Sequence, residues 1–432
     1  MLVFESWTAR RADIAPLSFL GRGGTRPFAL LYGGGEQGRF TIHGEGPIAR
    51  LTWPYHGYTI FDRRGDLPPF FPDFIGSLSY EWGAALESLV PPALDSAIPI
   101  PGFNFVLYER VSIHDRSAGI LYEGKRSVGH DVEVESEVEP GTLPSFDASV
   151  PFAARFSRGT EDAASYGHKV EAIRERIAAG DVYQVNLSRQ EEWDYRGDLR
   201  DFARMLYLGN PAPFSAYIAE PGFTVISASP ERLVKLDAGW LESRPIKGTA
   251  PRGADEVEDR ALAEALLASA KDRSELAMIV DLVRNDLSRT CARASTRVEA
   301  FPVLETYANV HHLVATIRGR FDPAKGLPGL LSALFPGGSI TGCPKIASMG
   351  IIRELEPWPR AIYTGSIGWF SADLSALDLN IAIRTVWADA TRLRFGVGGA
   401  VVWDSDPAAE YLETVHKARS ILACLNSANA RW

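Results

Sequence analysis

The alternation of apolar and polar positions changes character along this chain. Up to about residue 125, short apolar runs such as Ile75-Gly76-Ser77-Leu78-Ser79-Tyr80 are broken by Gly33-Gly34-Gly35, Pro68-Pro69 and Pro91-Pro92, a pattern that predicts strands joined by turns. Asp131 to Glu139 alternates strictly, an acidic residue at every odd position with valine or serine between, which predicts a strand with an acidic outer face. Like charges on such a face suit a sheet edge, because they deter further pairing. The stretch from Pro140 to Pro151 reads as a linker. It divides an N-terminal, mostly-β subdomain over residues 1–145 from a larger domain over 155–432, the two expected to pack as one compact fold.

Beyond Glu161 the period lengthens. Ser165 to Ala178 has helical spacing, with Gly180 placed to stop it. Asp181 to Ser188 follows as a strand. Asp255 to Leu287, rich in Ala, Leu and Glu, predicts one long helix or two in tandem. A last helix is expected from about Pro407 to Leu425, with Asp406 as N-cap and proline at the first position.

Composition narrows the class. With 46% hydrophobic residues, the 432-residue chain can bury a sizeable core. Cys291, Cys343 and Cys424 are odd in number and far apart, which argues against a disulfide framework or a zinc site and suits a reducing compartment. Met1 to Ser6 shows no basic stretch leading into an apolar core, and no apolar run approaches the roughly 20 residues of a spanning helix. The expectation is a cytoplasmic protein with no membrane and no nucleic-acid partner, the latter because the net charge is −9. A small anionic substrate stays open if local cations, backbone amides or a metal ion receive it.

Candidate chemistry begins at Pro245-Ile246-Lys247-Gly248-Thr249, where a lysine stands in an apolar neighbourhood. Burying that ammonium costs several kcal/mol unless something uses it. Ser229-Pro230-Glu231-Arg232 offers a carboxylate in a comparable strand-end setting. In the last helix Glu410, Glu413 and Lys417 share a face, either an ordinary solvated face or a carboxylate site for a hard cation. Glu275 is positioned to join them if its helix lies opposite. Phe335 to Lys345 holds a Gly-rich loop before a helical pattern, but its spacing is not that of a nucleotide phosphate loop. Gly396 to Ala400 reads as a strand that permits close approach. Arg384 ends an apolar strand and needs an anion, either a structural carboxylate or a substrate one. His311 and His312 should face opposite sides of a strand. Cys343 reads as structural.

The order of these motifs is more specific than any one of them. Asp181 to Ser188, the Glu231 motif, Pro245 to Thr249, Ile279-Val280-Asp281-Leu282-Val283-Arg284-Asn285-Asp286-Leu287, Ser339-Ile340-Thr341-Gly342, Tyr363-Thr364-Gly365 and the terminal Glu-Lys helix succeed one another. In this the chain resembles the chorismate-utilising enzymes, closely over residues 160 to 425 and more loosely before. The resemblance implies an α+β fold, a large layered β-sandwich flanked by helices. Relatives that add water to chorismate place a lysine base where Gln184 stands, so this chain resembles the branch that adds ammonia. Anthranilate-forming relatives carry alanine where Lys247 stands, and a lysine there marks the branch forming aminodeoxychorismate, on the way to p-aminobenzoate and folate.

The same resemblance implies roles. Lys247 would be the nucleophile, Glu231 the general acid, and His312 either a contact for the ring carboxylate or a support for the elimination. Thr249, Gly338, Thr341, Tyr363, Arg384, Gly398, Gly399 and Lys417 would hold substrate. Magnesium would be held through Glu275 and Glu413 with Glu410 nearby. The ammonia would come from a separate glutamine amidotransferase subunit, since no such domain is visible in the sequence. Tryptophan-binding relatives carry a Leu-Leu-Glu-Ser-like motif where this chain reads Leu17-Ser18-Phe19-Leu20-Gly21-Arg22-Gly23, so a tryptophan site is not implied. An anthranilate-type synthase and a catalytically silent chorismate binder are the competing expectations.

Overall fold

A computed structural model describes the chain except residues 1, 22–25, 34–37, 52, 54–59, 90–97, 99, 129–142, 144–149, 308–309 and 431. The expected acidic strand at 131–139, most of the linker and Pro91-Pro92 therefore lie outside the described residues. Among the described residues, 21 strands join one hydrogen-bonded network that is antiparallel except where Leu2–Arg11 runs parallel to Ile60–Gly65.

The network is a long ribbon whose middle is supplied by the start of the chain. One arm runs through Gln184–Arg196, Arg392–Val401, Thr385–Ala388, Phe223–Ser229 and Phe214–Glu220. Phe28–Tyr32 joins that arm by pairing with Phe214–Glu220, and continues into Phe40–Arg50, Phe103–Asp115 and Phe74–Leu78. Phe74–Leu78 then passes to Ser366–Phe370, Leu377–Asn380, Arg232–Asp237, Trp240–Arg244 and Val310–Arg320.

Period-two patterning explains why the ribbon closes into layers. Ile218 and Val225 join a core with Ile42, Ile75, Val106 and Trp387. Their chain neighbours Tyr217, Ala219 and Ile226 face the other way, onto Phe202, Ile421 and Leu425 of the outer helices. A second helical face, Leu276, Ile279, Val283 and Leu287, covers Leu233, Leu241 and Leu313 on the other arm. Helices thus flank a two-layered sheet, the α+β layered arrangement expected from the sequence.

Some expected elements differ in extent. The strand expected at 181–188 begins at Gln184 and runs to Arg196, and the last helix extends from Pro407 to Asn429. Asp255 to Leu287 forms two helices, Glu256–Ala268 and Ala270–Ser288, broken where Ser269 turns extended and caps the second by accepting the Asp272 amide. Arg384 does not end a strand. It sits in the connection between Leu377–Asn380 and Thr385–Ala388, in the left-handed region at φ 50°.

The N-terminal strands are fastened by a buried four-charge cluster. Arg126 Nε meets Glu5 at 2.6 Å and Arg63 Nη2 meets Asp73 at 2.6 Å, while the Asp73 carboxylate also accepts the Ala372 amide at 2.8 Å. Arg126→Met leaves Glu5 and Asp73 short of a buried partner. A loss of about 3–5 kcal/mol in denaturant-induced unfolding is expected.

Candidate active site

The site residues come from five separate parts of the ribbon and its helices. Lys247 lies on the short strand Ile246–Pro251, paired opposite Leu313 of Val310–Arg320. The pairing register slips between Lys247 and Thr249, at Gly248, which has φ 77°. A Cβ at Gly248 would come within 3.0 Å of the Asp272 side chain, so glycine lets this bulge seat on the start of the helix Ala270–Ser288. One turn along that helix, Glu275 Oε2 lies 4.0 Å from Lys247 Nζ. The lysine side chain is only 15% exposed. Burial, and then the charge of Lys417, holds its pKa below the usual lysine value, against the pull of Glu275, Glu231 and Glu413.

Glu231 sits in the turn between Phe223–Ser229 and Arg232–Asp237 and is buried. Its carboxylate accepts a hydrogen bond from the Ser339 hydroxyl at 2.7 Å, and its carbonyl accepts the Ile381 amide. Burial raises its pKa to about 7, against the Ser339 bond and the charges of Lys247 and Lys417. A carboxylic acid still protonated near neutrality is thereby placed close to an amine with a depressed pKa. Opposed shifts of this kind mark functional sites more often than structural pairs.

His311 and His312 face opposite sides of their strand, as expected. His311 is structural: its ring bridges Thr306 at 2.8 Å and Asp259 at 2.9 Å. His312 Nδ1 contacts the Thr249 hydroxyl at 2.9 Å, and burial together with the Arg384 charge lowers its pKa to about 4. It is neutral at pH 7. Arg384 forms no ion pair among the described residues, and its Nη1 reaches Asn210 at 3.5 Å. Burial lowers its pKa as well.

On the last helix Lys417 Nζ pairs with Glu413 at 2.6 Å and donates to the Gly398 carbonyl at 3.2 Å. Glu410 is buried and accepts from Ser405 at 2.6 Å through one oxygen, while its Oε2 has no hydrogen-bond partner among the described residues. A Cβ on Gly399 would stand 3.2 Å from that oxygen and 3.5 Å from Glu413 Oε1, so glycine keeps the space before both carboxylates open. Burial and the neighbouring Glu413 charge raise the Glu410 pKa, whereas Lys417 pulls that of Glu413 down despite burial. The unpartnered Glu410 oxygen, beside Glu413 and open space, fits a hard cation. No three His, Cys, Asp or Glu among the described residues converge as a ready metal cage. The donor set therefore suits magnesium, which binds through one or two carboxylates and takes its other oxygens from substrate and water.

The remaining candidates frame these groups. Gly338 opens a short 3-10 turn, Gly338–Ile340, packed so closely on Leu282 that a Cβ would clash. Thr341 Oγ1 donates back to the Gly337 carbonyl at 3.0 Å. Tyr363 lies buried beneath Gly396, where a Cβ would come within 2.5 Å of its ring. Reading the sequence did not single out Ser339, Asn186, Glu356 or Arg360. The last two are four residues apart, but prolines 357 and 359 between them hide any helical pairing signal. Gln184 is buried, with neither side-chain polar atom hydrogen-bonded among the described residues.

A cavity of about 520 Å³ lies on the other face of the same strands, lined by Tyr32, Phe40, Phe214, Arg244, Tyr307 and Trp369. Ile246 and Val314 point into it, and strand alternation sends Lys247 away from it.

Comparison with known proteins gives the family. The family model for chorismate binding enzymes matches residues 33–423. The chain belongs to that family. Among chorismate-binding enzymes it is 36% identical over 433 residues to aminodeoxychorismate synthase component 1 of Bacillus subtilis, covering 91% of each chain. It is 39% identical over 361 residues to the protein of the same name from Klebsiella aerogenes, covering 83% of this chain and 78% of the relative. A solved structure, anthranilate synthase component I from Streptococcus pneumoniae TIGR4, superposes with a TM-score of 0.76 at 27% identity, covering 89% of this chain and 92% of that one. As a member of a chorismate-binding enzyme family, the chain is an enzyme with chorismate as substrate. No helix among the described residues is long and apolar enough to cross a membrane.

Proposed function

We propose that the protein is the chorismate-aminating component of an aminodeoxychorismate synthase, replacing the C4 hydroxyl of chorismate with an amino group through a covalent adduct on Lys247. The observation that carries this reading is the largely buried Lys247 amine, with its pKa depressed, in the neighbourhood of an acid that burial keeps protonated to about pH 7. Relatives bearing the aminodeoxychorismate synthase name over most of their length support it.

Neutral Lys247 attacks ring C2, the ring double bonds shift, and the C4 hydroxyl leaves as water with the proton of Glu231. Ammonia then bonds to C4 and the C2–N bond breaks, releasing Lys247 as the neutral amine. The new ammonium returns one proton to Glu231, so acid and nucleophile are both restored. Arg384, a partly buried cation with no carboxylate partner among the described residues, receives the enolpyruvyl carboxylate together with Tyr363. His312, neutral and fixed by Thr249, lies along the ring as a hydrogen-bonding group. Thr341 and the Gly338, Gly398 and Gly399 backbone complete the cradle. Magnesium held by Glu275 and Glu413, with Glu410 beside them, would supply positive charge to the ring carboxylate. Lys417 braces Glu413.

A cytoplasmic glutaminase subunit delivers the ammonia. Incubating the chain with chorismate, magnesium and ammonium at mildly alkaline pH should give a para-amino product, identified by mass and chromatographic retention. Glutamine in place of ammonium should give none until the partner is added. The solved anthranilate synthase relative favours a second reading, and anthranilate as the sole product would establish it in place of the first.

A further inference from the structure

Beneath the acid lies a buried ion pair that takes no part in the chemistry above. Arg360 and Glu356 are both buried and meet through two hydrogen bonds, Nε to Oε2 at 2.8 Å and Nη2 to Oε1 at 2.7 Å. The guanidinium has five N–H donors, and every one has an acceptor. The other three go to the Ile340 carbonyl at 3.1 Å, the Asn186 carbonyl at 2.8 Å and the Thr364 hydroxyl at 3.4 Å. Glu356 in turn accepts the Ser188 amide at 2.7 Å. One planar cation therefore joins the strand Gln184–Arg196 to the turn Gly338–Ile340.

Those two segments meet at Ser339. Asn186 donates its side-chain amide to the Ser339 carbonyl at 2.7 Å, and Ser339 donates its hydroxyl to Glu231 Oε1 at 2.7 Å. Arg360 thus holds the backbone on both sides of that contact: the residue after Ser339, and the residue whose side chain grips it. With Oε1 engaged as an acceptor, the acid proton is assigned to Oε2. A serine that drifted would free both oxygens to carry it.

We propose that Arg360, locked to Glu356, is the positioning residue that fixes the Ser339 hydroxyl on Glu231 and so decides which carboxyl oxygen delivers the proton. The proposal rests on the assignment of Glu231 as the general acid. The charged groups around Glu231 are its neighbour Arg232, Lys247 on the strand Ile246–Pro251, Lys417 from the last helix, and Asp286 with its partner Lys345, which approach from the helices Ala270–Ser288 and Lys345–Leu355. None of them contacts Arg360 in the network above, so substituting Arg360 changes the Glu231 environment through Ser339.

Arg360→Lys keeps the charge but offers three donors to five acceptors. Asn186→Ala removes the grip on Ser339 without touching a buried charge, and Ser339→Ala removes the hydroxyl itself. Each variant should lower kcat by about 10- to 100-fold, the scale of a misplaced catalytic group, with KM for chorismate changed less than about threefold. Each should also raise the carboxyl titration of Glu231, read without turnover as the infrared difference from Glu231→Gln, because a donor to the carboxylate is lost. The double variant Arg360→Lys with Ser339→Ala should be no slower than Ser339→Ala alone by more than about threefold.

Multiplying losses in the double variant, or an unmoved titration in Arg360→Lys and Asn186→Ala, would overturn the proposal. If Arg360→Lys fails to fold by circular dichroism, Asn186→Ala decides it. A wild type that makes no aminodeoxychorismate would sink the functional reading and leave the infrared test standing.

Discussion

Lys247→Ala should abolish the para-amino product, lowering its rate on the order of 10³-fold or more, while leaving the fold intact. The lysine side chain is 15% exposed and comes no closer than 4.0 Å to Glu275, which keeps Lys271 at 3.9 Å when Lys247 is removed. What disappears is the amine that occupies C2. Ammonia arriving at the unblocked ring then attacks C2 itself, and the residual product should be the ortho isomer. Lys247→Arg separates nucleophile from charge, because a guanidinium keeps the positive charge and stays protonated; it too should lose the para product. Intact-protein mass spectrometry of the wild type, quenched with chorismate and magnesium before ammonium is added, should find an adduct that both variants lack. Para-amino product from Lys247→Ala at near wild-type rate would make the lysine a bystander and return the choice to an anthranilate-type enzyme.

How much of this was legible in the sequence depends on the range of the interaction. Helix ends signalled by local chemistry were readable, as with Asp406 and Pro407 opening the last helix, because a cap is a contact between near neighbours. The alternation that separates Ile218 from Tyr217 predicted strands but not partners. Nothing local says that Phe28–Tyr32 pairs with Phe214–Glu220, or that the start of the chain fills the middle of the ribbon. For the site, Lys247 and Glu231 stood out as charges in apolar surroundings, and their burial has that origin. That Glu275 and Glu413 share a metal was an expectation of the resemblance in motif order, and no single residue signalled it. Arg360 could not be found this way. Its five acceptor atoms belong to four residues on four segments, and its ion-pair mate is separated from it by two prolines. The apolar Ile381-Ala382-Ile383 predicts a strand ending at Arg384, whereas the strand stops at Asn380 and Arg384 itself takes a positive φ.

Glu231→Gln should trade activity for stability, with the sign set by pH. As general acid, Glu231 must be protonated, so the wild-type rate should fall as pH rises through about 7, the folded-state pKa. Glutamine has the same shape and still accepts the Ser339 hydroxyl, but it has no proton to give. A loss of about 10²- to 10⁴-fold in kcat is expected below pH 7 and a narrowing one above it, with the limb near 7 erased in the variant. Stability should move the other way. The folded pKa of about 7 lies above the ordinary carboxyl value of 4.5, so the folded state disfavours the ionised form. Below 4.5 the acid is neutral in both states and the substitution changes little. Between 4.5 and 7 the unfolded chain ionises first, and the wild type loses stability. Above 7 the penalty is complete, at most about 3 kcal/mol for a shift of this size, and Glu231→Gln should be the more stable protein by up to that amount. Denaturant midpoints of the two proteins at pH 5 and pH 8 measure it: the difference should be small at the lower pH and favour the variant at the higher. A wild type equally stable relative to the variant at both values would mean that the carboxyl is not held neutral by its burial, and the general-acid assignment would fall with it.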